Sequence, residues 1–155
     1  MEIIIHRVNS IIKLKKVESK YGAEIDIRSQ GSNLILNHEP FFNGDKLIDY
    51  LDEYNHGTLI LNIKEQGIED EVLRLIRKRS QIKSYFLLDV EFPYIFNSSR
   101  NGEKDIAIRF SEDESIETVK KYINKVNWVW LDTFTEFPIK EKNIKDLNNF
   151  KQCLV

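Results

Sequence analysis

Seven short apolar runs, separated by helix-like or polar stretches, restrict the fold of this chain more than any other feature of it. They fall at residues 2–6, 23–28, 58–64, 84–91, 105–110, 127–134 and 152–155. Each is short and bounded by turn-forming residues, as strands are. Between them, residues 10–21, 45–54, 68–79, 115–125 and 143–150 place apolar side chains at helical spacing, whereas 92–102, holding Pro93 and Gly102, reads as a loop with at most one helical turn. Residues 33–38 return as a hairpin strand after the turn at 29–32. Strands and helices in strict alternation imply parallel βαβ units.

Alternation alone does not separate an open sheet from a barrel. An open doubly wound sheet commonly places a glycine-rich phosphate loop after its first strand, and here that position holds His6, Arg7, Val8 and Asn9. Polar residues instead gather at the C-terminal ends of successive strands: His6, then Glu24 and Asp26, then Asn62 and Lys64, then Asp89 and Glu91, then Asp132. A (β/α)₈ barrel builds its active site there, each strand giving one or two residues. The expectation is a single α/β domain over residues 1–155, a TIM-type barrel incomplete at its C-terminus with about seven strands. Complete barrels start at about 200 residues, so the chain is expected to be truncated or incomplete, or a barrel closed by a partner.

Composition narrows the function. A net charge of −2 with interspersed signs argues against a broad nucleic-acid surface. The lone Cys153 excludes an intramolecular disulfide and a cysteine zinc cluster. No apolar run approaches the roughly 20 residues that span a bilayer, so the default expectation is a cytoplasmic protein with no membrane span.

The residues that carry chemistry lie early in the chain. The alternation of residues 23–28 places Glu24, Asp26 and Arg28 on one strand face and Ala23, Ile25 and Ile27 on the other. Two carboxylates at that spacing offer hard oxygen ligands to a cation; otherwise they would pair with Arg28, Lys64 or Arg109. Histidine suits proton transfer near neutrality, and two of the chain's three, His6 and His38, end short apolar runs. His56 reads as a solvated turn residue, the lysines of 13–20 as the wet face of a helix, and Cys153 as a small core residue. Trp128, Trp130 and Phe134 share strand parity and read as core. Asp89, Glu91 and Asp132 are weaker site candidates.

Taken in order, His6-Arg7-Val8, Gly22-Ala23-Glu24-Ile25-Asp26-Ile27, Leu34-Ile35-Leu36-Asn37-His38-Glu39 and Leu61-Asn62-Ile63-Lys64 resemble the strand-end motifs of the glycerophosphodiester phosphodiesterase family, within the phospholipase C-like phosphodiesterase barrels. The resemblance covers residues 2–92. It implies His6 and His38 as the acid–base pair, Arg7 and Lys64 as the phosphate clamp, and Glu24 and Asp26 as ligands of Mg²⁺ or Ca²⁺. Asn62 stands where the family has a third carboxylate and would be a weak ligand. Val8 replaces a glycine, and the loop that usually follows is missing. The implied partner is a small phosphodiester, without nucleic acid, and a homo-oligomer if the chain is naturally this short. Three functions remain open: a metal-dependent phosphodiester hydrolase, a catalytically impaired barrel binding a phosphorylated sugar or lipid headgroup, and an unrelated α/β interaction domain.

Overall fold

The structure is a computed structural model describing residues 1–154. It is α/β, with parallel strands in two sheets. Its elements run β1 (Ile4–Ile5), α1 (Ile11–Leu14), β2 (Gly22–Gln30), β3 (Asn33–Leu36), α2 (Leu47–Glu53), β4 (Leu59–Ile63), α3 (Glu69–Ile76) and β5 (Tyr85–Leu88). They continue with α4 (Phe92–Arg100), β6 (Ala107–Phe110), α5 (Ile116–Lys120), β7 (Trp128–Leu131), α6 (Glu141–Leu147) and β8 (Lys151–Leu154). One sheet has the order β1-β2-β4-β5 with β3 paired to β2, and the other the order β6-β7-β8. The chain forms two compact units, Met1–Leu87 and the remainder from Leu88 onward.

In the first unit β2 is the organising strand. Its residues 22–23 pair with β1, 23–27 with β4, and 27–30 with β3. A strand flanked by parallel neighbours is buried on both faces, and here both rows are covered: Ala23, Ile25 and Ile27 on one, Glu24 and Asp26 on the other. The apolar row joins Leu36, Leu47, Leu51, Leu59, Leu61 and Val72 in the core. Each such aliphatic side chain contributes about 1.5–3 kcal/mol by leaving water. The polar row is therefore held on a fully supported backbone. That is the local reason a site can stand there.

β1 is shorter than the run at 2–6 predicts. Arg7 adopts φ 56°, a left-handed conformation that ends the strand, and the loop then continues along β2: Val8 N–H donates to the Glu24 carbonyl at 2.8 Å, and Asp26 N–H donates to the Asn9 side chain at 2.8 Å. The helix expected over 10–21 is one turn. Ser10 caps it, with Lys13 N–H donating to its hydroxyl at 3.2 Å, and three-residue turns follow at Lys16 and Val17. Lys13, Lys16 and Lys20 would stack like charges at helical spacing, which disfavours continuation.

The stretch 92–102, expected to be a loop, is instead largely α4. Pro93 sits in its first turn, where a missing N–H costs nothing and the fixed φ helps initiation. Ile95 and Ser99 face inward, and the Arg100 guanidinium lies 3.6 Å over the Phe96 ring. Trp128 and Trp130 are buried as expected, but Phe134 lies past the end of β7 and is exposed. Cys153 is only half-buried, on a β8 whose other residues are exposed. His56 is not solvated: its Nε2 lies 3.0 Å from the Val17 carbonyl, and its ring packs against Tyr54 at 5.2 Å. The last strand spans Lys151–Leu154, and Val155 lies outside the described residues. Among the described residues no helix is long and apolar enough to cross a membrane.

Candidate functional site

Glu24 and Asp26 form the floor of the candidate site. Both carboxylates are buried, which is tolerable only with partners. Glu24 accepts from the Arg7 backbone N–H at 2.8 Å and from the Asn62 amide at 2.8 Å, and His6 Nε2 lies 3.6 Å away. Asp26 accepts from the Asn9 amide at 2.7 Å, and Lys64 Nζ lies 3.4 Å from its other oxygen. Burial holds the Glu24 carboxyl above the usual carboxylate range. The charge of Asp26 adds to that effect, and the Asn62 amide, the Arg7 N–H and His6 oppose it.

The register explains the grouping. Asp26 is paired with Asn62 across β2 and β4, so Glu24 and Asp26 of β2 and Asn62 of β4 project from the same face of the sheet. Lys64 lies one step past β4, its N–H donating to the Ile27 carbonyl at 3.1 Å. Arg7 N–H can reach Glu24 because of the left-handed turn, a strained conformation for a residue with a Cβ and one that clusters at functional sites. The positive φ falls on Arg7, so Val8, buried beside it, needs no glycine freedom.

Arg7 links this floor to His38. Its Nη2 lies 3.0 Å from His38 Nε2, and His38 Nδ1 lies 2.7 Å from Glu39 Oε1. A guanidinium only donates, so Nε2 is the acceptor, Nδ1 carries the proton, and Glu39 holds that tautomer. Arg28 braces the same corner: Nε and Nη2 donate to the His38 carbonyl at 3.1 and 2.9 Å, and Nη1 to the Lys64 carbonyl at 3.0 Å. It therefore supports two predicted site residues without contacting either carboxylate of the floor. Beside the network opens a cleft of about 530 Å³, lined in part by Arg7, Lys13, His38 and Asp45. Gly44 closes one wall, because a Cβ there would come within 2.1 Å of the Leu36 carbonyl oxygen.

His6, Arg7, Glu24, Asp26, His38, Asn62 and Lys64 thus fall within one connected network. Asn9 and Glu39 belong to it as well and were not singled out from the sequence. Asn9 stands two residues after Arg7, and Glu39 directly after His38; that closeness in sequence was the only available signal. The weaker candidates belong to the second unit. Arg109 pairs with Asp89, and with Asp132 at 3.6 Å, while Glu91 is exposed at the start of α4.

A divalent cation fits this floor in part. Asn62 Oδ1 is a buried oxygen with no hydrogen-bond donor, and Asp26 Oδ1 is met only by the Lys64 ammonium at 3.4 Å; an orphaned oxygen such as that of Asn62 calls for an ion, a water or an explanation. Together with Glu24 they make a hard-oxygen set suited to Mg²⁺ or Ca²⁺. The set stops at two carboxylates; among the described residues no group of three His, Cys, Asp or Glu side chains is placed to hold a metal. No family model, curated protein or solved structure matches this chain.

Proposed function

We propose that the network around Glu24 and Asp26 is a phosphodiester-hydrolysing site of the glycerophosphodiester phosphodiesterase kind, carried on an incomplete (β/α) barrel. The observation that carries this reading is a buried carboxylate pair reached by His6 and Lys64 and tied through Arg7 to a tautomer-locked His38 at a cleft. Strands that follow chain order within each sheet support the barrel.

The residues have distinct roles in this reading. An anionic diester entering the cleft pairs with the Arg7 guanidinium, and drawing that group away frees the His38 Nε2 lone pair. His38 then takes the proton of an attacking water or a neighbouring substrate hydroxyl as the new P–O bond forms. His6, 3.6 Å from Glu24, is placed to act as the general acid that delivers a proton to the departing alkoxide as the old P–O bond breaks. Lys64 shares its charge between Asp26 and the phosphoryl oxygens. A cation held by Glu24, Asp26 and Asn62 would add charge stabilisation for those oxygens. The substrate would be a small glycerophosphodiester-like molecule.

Hydrolysis of bis(p-nitrophenyl) phosphate in Mg²⁺ or Ca²⁺ tests the reading. His6→Ala and His38→Ala should each lower the rate by about 10²–10⁴-fold. Rates unchanged in both variants would reject it. A second reading, a site that binds a phosphorylated headgroup without turnover, draws on the Asn62 amide donating to Glu24 where a third carboxylate would strengthen the metal site. Saturable binding of glycerophosphocholine with no hydrolysis across a phosphodiester panel would favour it.

A further inference from the structure

The loop between β3 and α2 carries Phe41 and Phe42, with Phe41 fully exposed (102%) and Phe42 largely so (64%). Phe41 also adopts φ 68°, a left-handed conformation that a bulky aromatic residue rarely takes. Sustaining both strain and an aromatic ring in water calls for a compensating role outside the isolated chain. The loop borders the cleft: Glu39, Asn43 and Gly44 line one side, and Ser10 and Lys13 of the α1 segment line the other. Ile12, beside Lys13, is exposed at 72%. The two rims are tied together, since Ile11 N–H donates to the Asp45 carboxylate at 2.7 Å.

We propose that these rims dock on an anionic lipid surface, with Phe41, Phe42 and Ile12 entering the headgroup boundary and the cleft facing the lipid. The occupant follows from charge. Lys13, Lys16 and Lys46 are exposed and form no ion pair among the described residues. Of the neighbouring acids, Asp45 accepts from Ile11 N–H, Glu39 lies against His38 and Glu53 against Lys15, while Asp49 of α2 is exposed. Protruding apolar side chains flanked by unpaired lysines are the pattern of an interfacial anchor on anionic lipid. Protein-binding patches instead tend to be depleted in lysine. The docking also rests on the phosphodiester reading, and deepens it by placing the substrate among lipid headgroups.

Co-sedimentation of the full chain with vesicles decides the matter. Wild type should pellet with phosphatidylcholine vesicles containing phosphatidylglycerol, and less at high salt or with phosphatidylcholine alone. Phe41→Ser/Phe42→Ser, replacing two exposed side chains, should keep the circular dichroism spectrum and weaken vesicle binding at least about tenfold. Its rate on soluble bis(p-nitrophenyl) phosphate should match wild type. Failure of wild type to bind vesicles, or equal binding by the double variant, overturns the docking. So does self-association in lipid-free sedimentation velocity that the double variant abolishes, which would assign the patch to a second copy. Vesicle binding without turnover of the soluble ester would uphold the docking and reject hydrolysis. Turnover without vesicle binding would do the reverse.

Discussion

Asn62 and Arg28 control the candidate site through different physics. Asn62 donates its amide to Glu24 and leaves its own carbonyl oxygen buried without a donor. Asn62→Asp removes that donor and adds a third buried negative charge, so in chelator it should destabilise the fold by about 1–3 kcal/mol. Ca²⁺ should restore the loss and bind more tightly than to wild type, measured by thermal unfolding across a Ca²⁺ titration. An equal Ca²⁺ response in both proteins would place Asn62 outside any cation site. Arg28 holds two chain segments with one planar fork. A lysine cannot reproduce that geometry; Arg28→Lys should cost about 1.5–3 kcal/mol in urea unfolding. At this scale much of the site was legible, because Glu24 and Asp26 alternate on one strand and Lys64 follows Asn62 by two. Asn9 and Glu39 were not, since a side chain that clamps a carboxylate or locks a tautomer has no periodicity to reveal it.

Among the elements, β2, β4 and α3 were readable because pattern and burial agree: α3 starts with Glu69, Asp70 and Glu71 and keeps Arg74 in its last turn, complementing the helix dipole. Misread elements share a cause, in that tertiary contacts outweighed local signals. The α1 segment keeps only the turn that Ser10 and Asp45 cap, and α4 uses Pro93 as a starter rather than a breaker. Ser10→Ala should therefore cost about 1 kcal/mol, with hydrogen exchange rising at Lys13 N–H. The loop after β7 depends on a carboxylate that no spacing rule marks. Glu112 accepts from the N–H groups of Phe134 and Glu136 at 3.3 and 3.1 Å and from Thr135. Its own backbone N–H first, then those of Thr135, Glu136 and Phe134, hold its carboxyl down at about 2. Because the folded value lies below the ordinary one, this contribution to stability is present above pH 4.5 and is lost as pH falls through about 2. Glu112→Gln should speed amide exchange at 134–136 near neutral pH, and no change would show the loop to be held otherwise.

For the molecule as a whole, the α/β class followed from alternation, while the division into two compact units had no marker in composition. A net charge of −2 leaves no broad basic field, so in the proposed site phosphate recognition would rest on the few cations at the cleft. Glu24 links this site to global stability. Its folded pKa is raised, so stability declines as pH climbs from 4.5 through the folded value. A cation bound there favours the ionised form. Added Ca²⁺ should raise Tm near neutral pH and progressively less as the solution is acidified through that range, with Asp26→Asn abolishing the rise. An unchanged Tm with millimolar Ca²⁺ would remove the cation from the account while leaving the histidines to be judged separately. Turnover of a phosphodiester at this network is read from release of glycerol 3-phosphate from glycerophosphocholine, followed for wild type and His38→Ala in Ca²⁺ or Mg²⁺. Wild type should release it and stop doing so in EDTA, and His38→Ala should be at least about a hundredfold slower. Release at the same rate by His38→Ala, or none from wild type with either cation, would contradict such turnover.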